Sequence, residues 1–160
     1  MSARLPVAKL FPENAKADGG RMSKAWVDVL VDVPLLADLS RRHLGKVAAL
    51  GRTKRFPART SIVTAGTNAD AFYVVLDGKA TVRAGSRRIP IVAGDYFGEM
   101  GLLDGGARSA SVVADTEILV MAIPRRGFLK LLESEPKIAI SIMATLAQRV
   151  RSLQATSASV

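Results

Sequence analysis

Residues 55–100 read RFPARTSIVTAGTNADAFYVVLDGKATVRAGSRRIPIVAGDYFGEM. Four short runs in this stretch are rich in β-branched and aromatic side chains: SIVT, AFYVVL, KATVRA and IPIVA. They recur about every ten residues, and turn signals separate them at Ala65-Gly66, Asn68, Asp77-Gly78, Gly85-Ser86 and Gly94-Asp95. Two more runs follow, SASVVA and EILVMAI, with Asp115-Thr116 between them. Evenly spaced short strands with glycine corners predict a small antiparallel barrel or β-roll.

Helical patterns lie on both sides of this stretch. A helix is predicted over Lys24–Val33, ending before Pro34 because proline disfavours helix in the residue preceding it. LLADLSRRHLGKVAAL then places Leu35, Leu36, Leu39, Leu44, Val47, Ala48 and Leu50 on one face, a single amphipathic helix stopped by Gly51. After the strands, Pro124 opens PRRGFLKLLESE at its favoured first helical position. Pro136 opens another helix, in which Ile138, Ile142, Leu146, Val150 and Leu153 recur every three or four residues over about 18 positions. Residues 1–22, with Pro6, Pro12 and Gly19-Gly20, read as a flexible leader, and residues 155–160 as a frayed end. Residues 23–154 form the expected domain. Its class is α+β: an antiparallel, jelly-roll-like β-roll between N-terminal helices and a C-terminal hinge helix plus long helix.

Composition narrows the chemistry. With 160 residues, 49% of them hydrophobic, the chain can bury a core without disulfides or metals. The absence of cysteine excludes thiolate ligands, cysteine nucleophiles and disulfides, and the lone histidine, His43, excludes a histidine metal cluster. A cupin-like metalloenzyme is thereby set aside. Net charge is +9, from 23 basic and 14 acidic residues, but the arginines are scattered and read as a solvated basic surface. No stretch approaches the roughly 20 apolar residues of a membrane span. The first residues lack a signal-peptide core, so a cytoplasmic location without membrane association is expected.

The chemistry gathers in GDYFGEMGLLDGGARSASVVA, residues 94–114, where an acid, Glu99, and the one base of the stretch, Arg108, sit among glycines. Read as a strand end, a short helical turn, a glycine loop and a new strand, the stretch turns unpaired N–H groups near Gly98, Glu99 and Met100 toward a common point. Arg108 offers a fork of donors to a phosphate, and Ser109 adds a hydroxyl. Glu99, repelled by phosphate, suits a neighbouring hydroxyl. An acid for a hydroxyl and a base for a phosphate describe a sugar phosphate. The residues equally allow a plain Glu99–Arg108 ion pair across a turn, although such a pair inside a small barrel adds little over apolar packing.

FGEMGLL followed by ARSASVVA resembles the phosphate-binding cassette of cyclic nucleotide-binding domains, with the form FGE(L/M)-small-Leu, a short loop, then Arg-(Ser/Thr/Ala)-Ala. The resemblance runs from about Leu35 to Gln154 and includes Gly66, Gly78, Gly94, the turn LDGKATV and the late helix pair. It implies a sensor of cyclic AMP, with cyclic GMP possible, and no catalysis. Glu99 would accept from the ribose 2′-hydroxyl, and Arg108 would pair with the cyclic phosphate. Ser109 and the Gly98, Glu99 and Ala110 amides would complete the cradle that begins at Phe97. Val82 and Met100 would flank the base, and Arg149 on the final helix would approach the cassette glutamate or the purine. Phe72 and Tyr73 read as core.

The expected output is a repacking of the hinge helix and long helix, whose apolar face would cover the ligand or meet a protein partner or a second copy in a homodimer. The best-known bacterial members of the family continue into a helix-turn-helix domain. The few residues after Gln154 cannot hold one, so DNA binding in cis is not expected. The rival readings are an interaction module that has lost its ligand and a DNA-associated regulator.

Overall fold

The computed structural model describes residues 21–158. Two strands explain the rest of the architecture. Strands β3 (Ala71–Asp77) and β8 (Ile118–Pro124) are buried along nearly their whole length. They lie side by side in a four-stranded antiparallel sheet of order β1-β8-β3-β6, with β1 at Arg52–Phe56 and β6 at Tyr96–Phe97. Because side chains alternate across a strand, such runs must be covered on both faces. Ala71, Tyr73, Val75, Ile118, Val120 and Ala122 face the interior of a roll. Phe72, Val74, Leu76, Leu119, Met121 and Ile123 face a layer of helices.

The second sheet closes the roll. Its order is β2-β7-β4-β5, formed by Ser61–Val63, Ser111–Ala114, Lys79–Ala84 and Arg87–Val92, again antiparallel. Val63, Ala80, Ile91, Val112 and Ala114 point inward from it, and its outer face is wet. The result is a roll of two facing sheets flanked by helices, as the spacing of the runs implies.

The helices are cut differently from the expectation. Helix α1 spans Arg21–Leu30 rather than Lys24–Val33, and Pro34 begins a 3-10 turn, Pro34–Leu36. The single helix expected over residues 35–50 is two elements. The Ser40 side chain accepts from the His43 N–H at 3.1 Å and so starts a new helix, α2, at Arg41–Ala48. Leu35, Leu36, Leu39, Leu44, Val47 and Ala48 are nonetheless all buried. Gly51 lies beyond the helix end, and it is glycine because of Trp26: a Cβ there would stand 2.5 Å from the Trp26 ring. The expected leader falls outside the described residues except for Arg21 and Met22, which lie in α1.

One short helix, α3 (Gly101–Asp104), interrupts the strands between β6 and β7. Pro124 ends β8 and caps helix α4, Arg125–Ser134, so that helix begins one residue later than expected. The last helix, α5, runs Pro136–Ala158, longer than the periodic segment that announced it. The elbow between α4 and α5 is tied to α2: Lys46 Nζ donates to Glu135 Oε1, and His43 Nε2 lies 3.7 Å from Oε2. Thr145 Oγ1 of α5 donates to Asp38 Oδ2 at 2.9 Å. The apolar stripe of α5 does not stay on one surface. Ile138 and Ile142 enter the core and Leu146 packs against it, whereas Val150 and Leu153 are exposed, as are Ile140 and Met143. Among the described residues no helix is long and apolar enough to cross a membrane.

Candidate functional site

Between β6 and β7 the chain leaves one sheet and enters the other, and the residues of this crossing build the site. Gly98 follows β6 with φ +82. Its conformation favours glycine, and so does its surroundings: a Cβ would lie 2.7 Å from Arg108 Nη1 and 3.4 Å from Ala71 O. The turn tightens through Leu102 N to Glu99 O (3.2 Å) and Leu103 N to Met100 O (3.1 Å), then α3 ends at Gly105. The loop that follows is clasped to residues 66–69. Ala69 N donates to Gly106 O, Arg108 N to Thr67 O, and Gly66 N to Arg108 O, at 2.8–3.0 Å. These bonds fix the backbone that carries Arg108.

The Arg108 side chain turns inward and is only 6% exposed. Nη2 donates to Ala71 O at 2.9 Å and lies 3.4 Å from Asp70 Oδ1. The guanidinium carbon stands 5.7 Å from the centre of the Tyr73 ring, which stacks on Phe97 at 5.1 Å. Burial, and secondarily the Asp70 charge, holds the Tyr73 hydroxyl above its ordinary pKa, so the ring under the arginine stays neutral. Asp70 is 84% exposed, so water weakens its hold on the buried cation.

Arg108 faces a hollow of about 500 Å³, within the usual range for a small-molecule site. Phe97, Gly98, Glu99, Met100, Arg108, Ser109, Ala110 and Val82 all line it. Arg149 does not, but it reaches over from α5, with Nη1 3.6 Å from Glu99 Oε1. Glu99 and Arg108 therefore do not pair with each other. Each has its own partner, and both border the same space.

The sequence reading missed the supports. Ala69, Val63 and Val112 also line the hollow, and Asp70, Ala71 and Tyr73 hold Arg108. Tyr73 belongs to the roll core, as expected, and is also the floor under the arginine. The available signal was strand alternation: Tyr73 shares its face with Ala71, the inward face of β3.

A family described as "Cyclic nucleotide-binding domain" matches residues 53–135. Over 115 residues the chain is 36% identical to a cAMP-dependent protein kinase regulatory subunit of Aspergillus niger, covering 70% of this chain and 27% of that protein. Over 80 residues it is 42% identical to a cGMP-dependent 3',5'-cGMP phosphodiesterase A of Dictyostelium discoideum, covering 49% of this chain and 9% of that protein. The solved N-terminal domain of a transcriptional regulator from Streptomyces coelicolor A3(2) superposes with a TM-score of 0.71 at 26% identity, covering 79% of this chain and 94% of that one. The chain thus spans a minor part of the curated relatives it matches.

Proposed function

The chain belongs to the cyclic nucleotide-binding domain family, and we propose that it is a non-catalytic sensor module for cyclic AMP, with cyclic GMP as a weaker ligand. The observation that carries this reading is Arg108, a buried guanidinium facing a hollow of about 500 Å³ with the exposed Asp70 carboxylate as its acidic partner among the described residues. A cyclic phosphate brings one negative charge and two free oxygens to that fork of donors. Gly98, Glu99, Ser109 and Ala110 line the same space, and their amides and the serine hydroxyl would complete the cradle. Glu99, at another part of the rim, accepts from the ribose 2′-hydroxyl. Val82 and Met100 give the base an apolar flank, and Arg149 holds Glu99 in place.

Hydrolysis would need a base beside a nucleophile. Ser109 has no histidine near it, since His43 lies on α2 against Glu135. The ligand acts instead by favouring one packing of α4 and α5 over another, to the extent that it binds the two unequally. Helix α5 supplies the output: Met143, Val150 and Leu153 are exposed and Leu146 between them is half-buried, and the four follow a three-four-three spacing, that of a two-helix seam, and pair with a second copy of the chain.

Calorimetric titration with cyclic AMP, cyclic GMP and linear 5′-AMP under identical conditions tests the reading. Cyclic AMP should bind best, and 5′-AMP at least about tenfold more weakly, because the proposed contacts are those of a cyclised ribose. Absence of binding by both cyclic nucleotides would overturn it.

A further inference from the structure

Arg125 opens α4 directly after the buried strand β8. Its backbone N–H donates to Asp70 O at 2.8 Å, which fixes the start of the helix against β3. Its side chain crosses to the turn that ends α3, where Nη2 donates to Leu103 O at 3.3 Å. A Cβ on Gly105 would stand 2.7 Å from Arg125 Cζ and 3.0 Å from Nε and Nη1. The guanidinium therefore occupies the space that a side chain at position 105 would take. Gly105 is itself left-handed, with φ +62, and three residues later the chain delivers Arg108 to the hollow.

Packing alone accounts poorly for an arginine here. Its Nε is buried without a hydrogen-bond partner, and an unmet buried donor is unfavourable. An apolar side chain of the same length would fill the space without that penalty. The arginine does one thing such a side chain cannot: it gives a directional bond between the α3 turn and α4. Leu102 and Phe128 enter the same apolar cluster, but such contacts tolerate sliding.

We infer that Arg125 is a positioning residue that makes the turn carrying Arg108 and the hinge helix α4 move as one piece. The inference rests on reading the hollow as a nucleotide site. Filling the hollow shifts the turn, and Arg125 carries the shift to α4 and onward to the elbow at Glu135. Coupling of this kind is a free-energy link between two sites and is lost when the link is removed.

The test uses Arg125→Met in the full chain, with melting temperature followed throughout. The chain has no cysteine, so Lys130→Cys on the exposed side of α4 accepts a single environment-sensitive fluorophore. With Arg125 present, saturating cyclic AMP changes the label's emission. With methionine there, calorimetric affinity stays within about fivefold while the emission change falls at least about fivefold. An undiminished emission change overturns the inference. A second measurement needs no nucleotide: the Asp104 and Gly105 amides, bonded to Met100 O and Gly101 O, should exchange hydrogen about tenfold faster in Arg125→Met, with β3 and β8 unchanged. Unchanged exchange at Gly105 likewise overturns it. Failure of the unsubstituted protein to bind cyclic AMP would defeat the functional reading, and exchange alone would then decide the role of Arg125.

Discussion

At the scale of single residues, the site separates two charges that could have cancelled. Arg108 is committed to Ala71 O and the Tyr73 face, and Glu99 to Arg149, so neither consumes the other. In the proposed reading each exchanges a protein partner for a ligand group at the hollow. Glu99 gives the sharpest residue-level prediction. Cyclic AMP and its 2′-deoxy analogue, each titrated against the unsubstituted protein and Glu99→Gln, form a double-mutant cycle. Losing the hydroxyl or the carboxylate should weaken binding by about 1–3 kcal/mol, and losing both should add little more. Full additivity would remove the Glu99–ribose contact. The sequence showed Glu99 and Arg108 because Arg108 is the one base of that glycine-rich stretch and Glu99 stands between Gly98 and Gly101. It did not show Tyr73 or Asp70 as partners of Arg108, since their contacts depend on how β3 lies beside the crossing.

At the scale of elements, burial on both faces made β3 and β8 legible as continuous apolar runs. Strand β1, RTKRF, was not legible. It is an edge strand whose arginines and lysine read as loop, although Phe56 packs against the roll core and Arg55 pairs with Glu117 at 2.7 Å. The break between the 3-10 turn and α2 was hidden for a related reason. The apolar spacing continues across Ser40, and only the cap bond from His43 shows that the chain restarts. Close packing of Gly51 on Trp26 predicts that Gly51→Ala lowers stability by about 1–3 kcal/mol through overpacking, measured by urea unfolding. An unchanged midpoint would mean that the Trp26 ring moves freely.

The elbow at Glu135 makes a pH prediction. The hydrogen bond from Lys46 is the main cause holding the Glu135 carboxyl below its ordinary pKa of 4.5. A carboxyl depressed in the folded protein contributes stability that is present above 4.5 and lost as pH falls through the lower, folded value. The difference in melting temperature between the unsubstituted protein and Glu135→Gln should therefore shrink as pH falls below 4.5. A constant difference down to strongly acidic pH would contradict the Lys46–Glu135 link.

At the scale of the whole molecule, one roll holds the candidate site, and the helices pack on its β1-β8-β3-β6 sheet, where the proposed reading puts the response. The alternation of glycine corners and short runs was enough to announce the roll, because each turn needs its own residue chemistry. The course of α5 was less visible: its periodicity is continuous, yet Ile138 and Ile142 are core while Val150 and Leu153 lie in water. That division predicts self-association through the exposed Met143, Val150 and Leu153, with the half-buried Leu146 between them. Sedimentation should show a dimer that Val150→Glu dissociates, and a monomer without the substitution would reject the seam. The central claim is that a buried guanidinium between the two sheets awaits an anion. Calorimetric titration of cyclic AMP against the unsubstituted protein and Arg108→Met tests it most directly. A loss of about 2–5 kcal/mol, roughly 30-fold or more in affinity, at unchanged fold is the predicted result, and equal affinity of the two proteins would contradict it.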